Sequence, residues 1–214
     1  MDKKDQINRD TWNKLAEPYE SKFMNLDIYN DTYNAFIKSV ISISNTPSIL
    51  EIGCGPGNIC NYIKSKISSA YILATDASES MIKLAKSKVH DIEYKVLDCR
   101  KISQINKTFD GIICGFIIPY ISEADLNLLF KDSYNLLNKK GILYISFVEG
   151  FYENSTYIKG NTGHELYFHW YEKSKLENIL KAFGFEKLVE FSIPYNKAEN
   201  IIENHIIMIF SKTI

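Results

Sequence analysis

The sequence predicts an α/β fold: a mostly parallel sheet with helices on both faces, one reversed strand at its end, and a helical segment in front. Three observations predict it. Five apolar, β-rich runs alternate with helix-like segments between residues 48 and 148, and that alternation implies parallel strands covered on both faces. The first run leads into a turn with glycine at alternate positions, Gly53, Gly55 and Gly57. The last two runs lie too close together for a parallel crossover.

The elements follow in order. Residues from about Asp10 to Ser42 read as helical and carry Trp12, Tyr19, Phe23, Tyr29, Tyr33 and Phe36; Thr46-Pro47 then breaks the chain. Strands are expected at Ser48–Ile52, Ala70–Thr75, Ile92–Leu97, Phe109–Cys114 and Gly141–Val148, and helices at Asn58–Lys66, Ser78–Lys88 and Glu123–Leu137. Arg100–Thr108 is a short link of less definite form. Ser122 with Asp125, and Ser174 with Glu177, have the spacing of capping boxes, and Gly141 and Gly184 sit where helices should stop. Beyond the helix Ser174–Phe183, strands at Phe185–Ile193 and Ile201–Ser211 are joined by the seven residues Pro194–Asn200. A parallel crossover needs about a dozen, so this pair runs antiparallel. Residues 1–214 are read as one domain, with a helical cap at 1–45, a sheet core at 46–214 and an insert at 149–170, a size that buries a substantial core.

Composition narrows the partners. Lysine plus arginine number 25 and aspartate plus glutamate 26, a net charge of -1. No basic excess points to nucleic acid. The charged start, Met1-Asp-Lys-Lys, does not read as a secretory signal. The longest charge-free runs, such as Gly111–Ser122, span 12 residues, short of the roughly 20 that cross a membrane. Cys54, Cys60, Cys99 and Cys114 have no metal or disulfide spacing, as expected of reduced thiols in a cytoplasmic protein.

The chemistry centres on Glu51-Ile-Gly53-Cys54-Gly55-Pro-Gly57-Asn58. Glycine at such a turn permits unusual torsions and close approach of a ligand to the backbone. The dinucleotide pattern G-x-G-x-x-G/A fails, because Asn58 stands where its third small residue should be. Glu51 would repel a pyrophosphate and suits a ligand with a positive group. Asp76 ends the second strand 19 residues after Gly57, the place where nucleotide folds put an acid on ribose hydroxyls; it would equally serve as a helix N-cap. Asp98 ends the third strand. The insert Glu149–Trp170 follows the fifth strand and is rich in aromatics, and long loops of this kind are often functional.

On these motifs the chain, from about Thr11 to Lys212, resembles the class I S-adenosylmethionine-dependent methyltransferases. Their first motif, acid-x-Gly-x-Gly-x-Gly, corresponds to Glu51 through Gly57. The resemblance implies a three-layer, Rossmann-like sandwich with a seven-stranded sheet and an antiparallel last strand. It implies S-adenosyl-L-methionine as cofactor, held by Glu51, Gly53, Cys54, Gly55 and Gly57, with Asp76 on the ribose and Ala77 and Met81 packing beside it. Asp98 and the backbone of Cys99 would meet the adenine, Gly115 and Phe116 the methionine part, and Tyr19 would close over the cofactor. The reaction implied is in-line transfer of a sulfonium methyl to an oxygen, nitrogen or carbon of a small-molecule acceptor. No metal site is expected. No catalytic residue is assigned; Tyr120, His164 and His169 are the candidates, while His205 reads as structural and His90 as exposed. A nicotinamide-dependent oxidoreductase and a cofactor-binding regulator without turnover are the competing readings.

Overall fold

The computed structural model describes residues 2–160, 163–198 and 201–213. The N-terminal region is two helices, α1 (Lys3–Phe23) and α2 (Asn30–Ile41). It starts earlier than Asp10 and is interrupted before Asn30, where the Asn30 amide bonds the Asp27 carbonyl at 2.9 Å. The core then alternates: β1 (Ser48–Ile52), α3 (Asn58–Lys66), β2 (Tyr71–Asp76), α4 (Glu79–Lys88), β3 (Glu93–Val96), β4 (Phe109–Gly115), α5 (Glu123–Leu136) and β5 (Leu137–Val148). The link after β3 is a short 3-10 helix, Cys99–Gln104. A small hairpin, β6 (Thr156–Lys159) with β7 (Glu165–Phe168), fills the insert, followed by α6 (Lys173–Ala182), β8 (Phe185–Ala198) and β9 (Ile201–Lys212).

The main sheet has seven strands in the order β3-β2-β1-β4-β5-β9-β8. All neighbours are parallel except where β9 pairs with β5 and β8. The expected reversed last strand is therefore present, and it lies inside the sheet rather than at its edge. β8 forms the edge, which accommodates Pro194, a residue unable to donate to a ladder. The β8–β9 strands run longer than expected and take in most of the Pro194–Asn200 link.

Two apolar layers cover the sheet. One includes Leu126, Leu129 and Phe130 of α5 and Leu176 and Leu180 of α6. The other includes Phe36 and Val40 of α2 and Ile59 and Ile63 of α3. Gly111 in β4 lets α2 approach, since a Cβ there would lie 2.6 Å from the Phe36 ring. Tyr144, fully buried in β5, shares its hydroxyl with Thr32 Oγ1 of α2 at 3.0 Å, so its polar end is satisfied.

Of four local expectations at helix ends, two hold and two are corrected. Ser122 caps α5 and accepts from the Asp125 amide at 3.2 Å. Ser174 does not cap α6: that helix begins at Lys173 with Glu172 at its N-cap. Gly141 does not end a helix either. α5 stops at Leu136, the chain turns at Lys140, which takes φ 61°, and Gly141 lies within β5. Gly184, at φ 88°, does follow the end of α6.

Candidate active site

The chain crosses from one half of the sheet to the other between β1 and β4, where open α/β sheets hold their ligands. A cavity of about 440 Å³ opens at the carboxyl ends of these strands, roofed by α1 and the β6–β7 hairpin.

The glycine turn forms its floor. Gly53, Gly55 and Gly57 take φ values of 72°, 53° and 93°, a left-handed region that other residues enter at a cost. A Cβ on Gly53 would come within 1.9 Å of the Ile117 side chain. The Gly53 and Cys54 amides bond the Thr75 carbonyl, at 2.7 and 2.9 Å, which pins the turn to β2. Gly57 does not line the cavity; it lets α3 pack against Ala85 and Val89.

Asp76 holds this floor together. Its carboxylate accepts from the Gly55 amide at 2.9 Å and from the Ser78 amide at 2.8 Å. Enclosure in the cavity wall raises its pKa, and those amides offset part of the rise. Ser78, not Asp76, is the N-cap of α4, accepting from the Met81 amide at 3.1 Å. Ala77 and Met81 line the same wall.

Glu51 is the most unusual group in the site. It is 1% exposed, and among the described residues neither carboxylate oxygen has a hydrogen-bond partner. Burial pushes its pKa up to about 8; nearby Cys60 relieves this in part and Asp76 adds to it. An unpaired buried carboxylate is unfavourable by several kcal/mol and is relieved by an adjacent cation.

Asp98 is differently occupied. One oxygen accepts from Arg9 at 3.0 Å, the other from the Arg100 amide at 3.0 Å, and the Arg100 guanidinium approaches both at 3.1 and 3.3 Å. Burial alone would raise its pKa, but these donors outweigh burial and hold it below the usual value. Arg100 also binds Asp125 at 2.9 Å and Asp5. Asp5 and Arg9 belong to α1, so this ion-pair cluster fastens the cap beside the cavity, with Cys99 next to it on the cavity wall.

The upper wall is aromatic. Tyr19 lies over the turn, 3.7 Å from where a Gly55 Cβ would be, and packs on Trp12 and Phe23 at 5.3 and 4.6 Å between ring centres. Tyr120 bridges Trp12 and Phe168 at 5.2 and 5.8 Å. The hairpin is hung from α1: the Asn8 side chain donates to the Tyr167 carbonyl and accepts from its amide, and Thr11 donates to the Glu165 carbonyl at 2.7 Å. Gly115 and Phe116 close the β4 side.

Of the three candidates for catalysis, Tyr120 lines the cavity, and His164 and His169 do not. Along β7 and just after it, Leu166 and Phe168 turn towards the cavity, so period-two alternation turns Tyr167 and His169 away. His169 is buried against Tyr152 and Tyr171, and burial, with Lys4 and Arg100 nearby, lowers its pKa to about 4.

Arg9, Arg100, Tyr195, Glu203 and His205, none of them a site candidate from sequence, also line the cavity. A signal existed for the last two. Glu203 and His205 share a strand face with buried Ile207 and Ile209, and charge on an otherwise apolar face marks a site.

Comparison with known proteins agrees with this architecture. Residues 49–141 match the family described as a methyltransferase domain. A stretch of 134 residues is 29% identical to a protein of Invertebrate iridescent virus 6 assigned as a methyltransferase, covering 63% of this chain and 47% of that one. A stretch of 107 residues is 30% identical to the malonyl-(acyl-carrier protein) O-methyltransferase of Bacillus anthracis, covering 49% and 39%. The chain thus spans less than half the length of these two relatives. The 1,6-didemethyltoxoflavin-N1-methyltransferase of Burkholderia thailandensis, solved with 1,6-didemethyltoxoflavin and S-adenosylhomocysteine, superposes with a TM-score of 0.72 at 15% identity, over 98% of this chain and 88% of that one. Residues 49–141 are thus similar to a methyltransferase domain, and the chain shares its fold with the Burkholderia methyltransferase.

Proposed function

We propose that the protein transfers a methyl group from S-adenosyl-L-methionine to a small-molecule acceptor. The observation that carries this reading is Glu51, a buried carboxylate without a partner on the wall of a cavity floored by backbone amides. It fits a ligand with an ammonium group and fits poorly with a dinucleotide pyrophosphate. When bound, the cofactor supplies a methyl already activated on a sulfonium. The protein's own task is to bind, orient and exclude water, and orientation alone can contribute about 7–11 kcal/mol.

Each residue has a part in this reading. Glu51 pairs with the ammonium. Asp76 accepts from the ribose hydroxyls while keeping the turn in shape, and Ala77 and Met81 pack on the nucleoside. Gly53, Cys54 and Gly55 present backbone to the methionine part, with Gly115 and Phe116 opposite. Cys99 offers its amide to the adenine edge. Asp98, already held by two arginines, positions α1 and has less capacity left for adenine. Tyr19 covers the cofactor, and its ring face favours a nearby sulfonium. The helical cap, sheet core and insert act as one unit, since α1 and the β6–β7 hairpin together close the space in which a small acceptor would sit.

The test is a thermal-shift assay followed by transfer of labelled methyl. S-adenosylhomocysteine should raise the melting temperature, and label from S-adenosylmethionine should enter the low-molecular-mass fraction of a cell extract. Stabilisation by a nicotinamide cofactor instead, or label only in macromolecules, would refute the reading.

A further inference from the structure

Part of the cavity wall, away from the glycine turn in sequence, is a polar chain set among aromatic rings. His205 of β9 lies with Tyr195 of β8 stacked on it at 4.8 Å between ring centres and with Phe116 edge-on at 4.9 Å. Tyr29, the N-cap residue of α2, is 5.3 Å from Phe116. The Tyr29 hydroxyl and His205 Nδ1 are 2.6 Å apart in a buried hydrogen bond. Among the described residues His205 Nε2 has no hydrogen-bond partner, and the Glu203 carboxylate lies 3.5 Å from it. Glu203 is in turn held by Lys197. Tyr29, Phe116, Tyr195, Lys197, Glu203 and His205 all line the cavity.

The proton positions follow from charge. A lone pair on Nε2 facing a carboxylate would be repelled, so the neutral ring carries its hydrogen on Nε2 and accepts at Nδ1 from the Tyr29 hydroxyl. The groups facing His205 are Tyr29 from α2, Tyr195 and Lys197 from β8, and Glu203 on its own strand. Lys197 binds Glu203 Oε1, while Oε2 of the same carboxylate faces His205 Nε2 and would favour an imidazolium there. Burial keeps the Tyr29 phenol neutral, so it passes protons on rather than losing one.

We propose that this part of the cavity is the acceptor site, that it takes a planar aromatic hydroxyl compound, and that Tyr29 and His205 relay away the hydroxyl proton. The aromatic walls suit a flat ring. The acceptor O–H bond breaks as its proton moves to Tyr29 Oη, and the Tyr29 proton moves to His205 Nδ1. The electron pair stays on the acceptor oxygen, which becomes the nucleophile, and Glu203 steadies the new imidazolium through Nε2–H. Tyr29 would touch the acceptor; His205 and Glu203 act through it. This inference rests on the methyltransferase reading above.

The test uses 4-nitrophenol, whose ionisation is visible, added to the full-length protein saturated with S-adenosylhomocysteine. Bound 4-nitrophenol should ionise at a pH lower than in water by about one unit. Tyr29→Phe and His205→Gln should each abolish that shift while thermal stabilisation by S-adenosylhomocysteine persists, which shows that the variants fold. Glu203→Gln should shrink it. If 4-nitrophenol does not bind, titrates as in water, or keeps its shift in both variants, the relay is wrong although the cofactor reading stands. If S-adenosylhomocysteine fails to stabilise the wild type, the methyltransferase reading falls and the relay with it.

Discussion

The two sides of the cavity are built from different materials. The glycine-turn side is backbone: strand ends, amides and left-handed glycines fixed by Asp76 within a short stretch of chain. The opposite side is assembled from side chains on separate elements. Asn8 reaches Tyr167 across 159 residues of sequence, and Tyr29 reaches His205 across 176. The contrast teaches where each kind of specificity resides. A backbone cradle fixes one ligand class and tolerates little change. Side chains borrowed from a helix, a hairpin and a strand pair can be altered singly, so that wall is where acceptor choice would reside.

The contrast can be broken most forcefully at Asp76. Asp76→Ala unties the Gly55 and Ser78 amides together and, in the proposed reading, also removes the acceptor for the ribose hydroxyls. It should weaken S-adenosylhomocysteine binding by about 2–4 kcal/mol in a calorimetric titration, whereas Asn8→Ala, on the other wall, should leave that affinity within about tenfold. Gly53→Ala sets a Cβ against Ile117 and strains a positive φ. It should lower unfolding free energy by about 1–3 kcal/mol in a denaturant titration.

Glu51 sharpens the comparison through pH. Burial pushes its pKa up to about 8, against an ordinary value of 4.5. The folded state therefore holds a proton that the unfolded state has lost, and stability falls as pH rises through that window. The wild type should lose about 1 kcal/mol per pH unit relative to Glu51→Gln between those limits, as read from paired denaturant melts. The smallest effect belongs to the cap. Arg9 is partly exposed, and Arg9→Ala should cost about 0.5–1 kcal/mol and speed proteolytic cleavage within α1 more than elsewhere.

The same division explains what the sequence disclosed. β1 and α3 fall at their expected bounds because a short apolar run and a glycine turn determine themselves locally. The reversed β9 was legible from the shortness of the link before it. Glu51, Gly53, Gly55 and Asp76 could be placed beside one another because strand ends of one parallel sheet must meet. Ser174 and Gly141 misled, since capping residues and helix stops are also common in places where neighbouring packing sets the boundary. The Asp98–Arg9–Arg100 cluster and the Tyr29–His205 pair were not legible. Each depends on how separate elements are laid over the sheet, and no local pattern encodes that. His205 left only a trace, as a polar residue on the inward face of a strand.

The central claim is that the glycine turn and Glu51 seat a cofactor bearing a positive charge. Calorimetric titration of the wild type with S-adenosylhomocysteine at pH 7, in two buffers of different ionisation enthalpy, tests it directly. Burial raises the Glu51 pKa to about 8, above the pH of the titration, and pairing with the ammonium would favour the ionised form, so binding should release up to about one proton, and Glu51→Gln should bind more weakly with no such release. Absence of binding, or binding with the same proton count in wild type and Glu51→Gln, would contradict the claim.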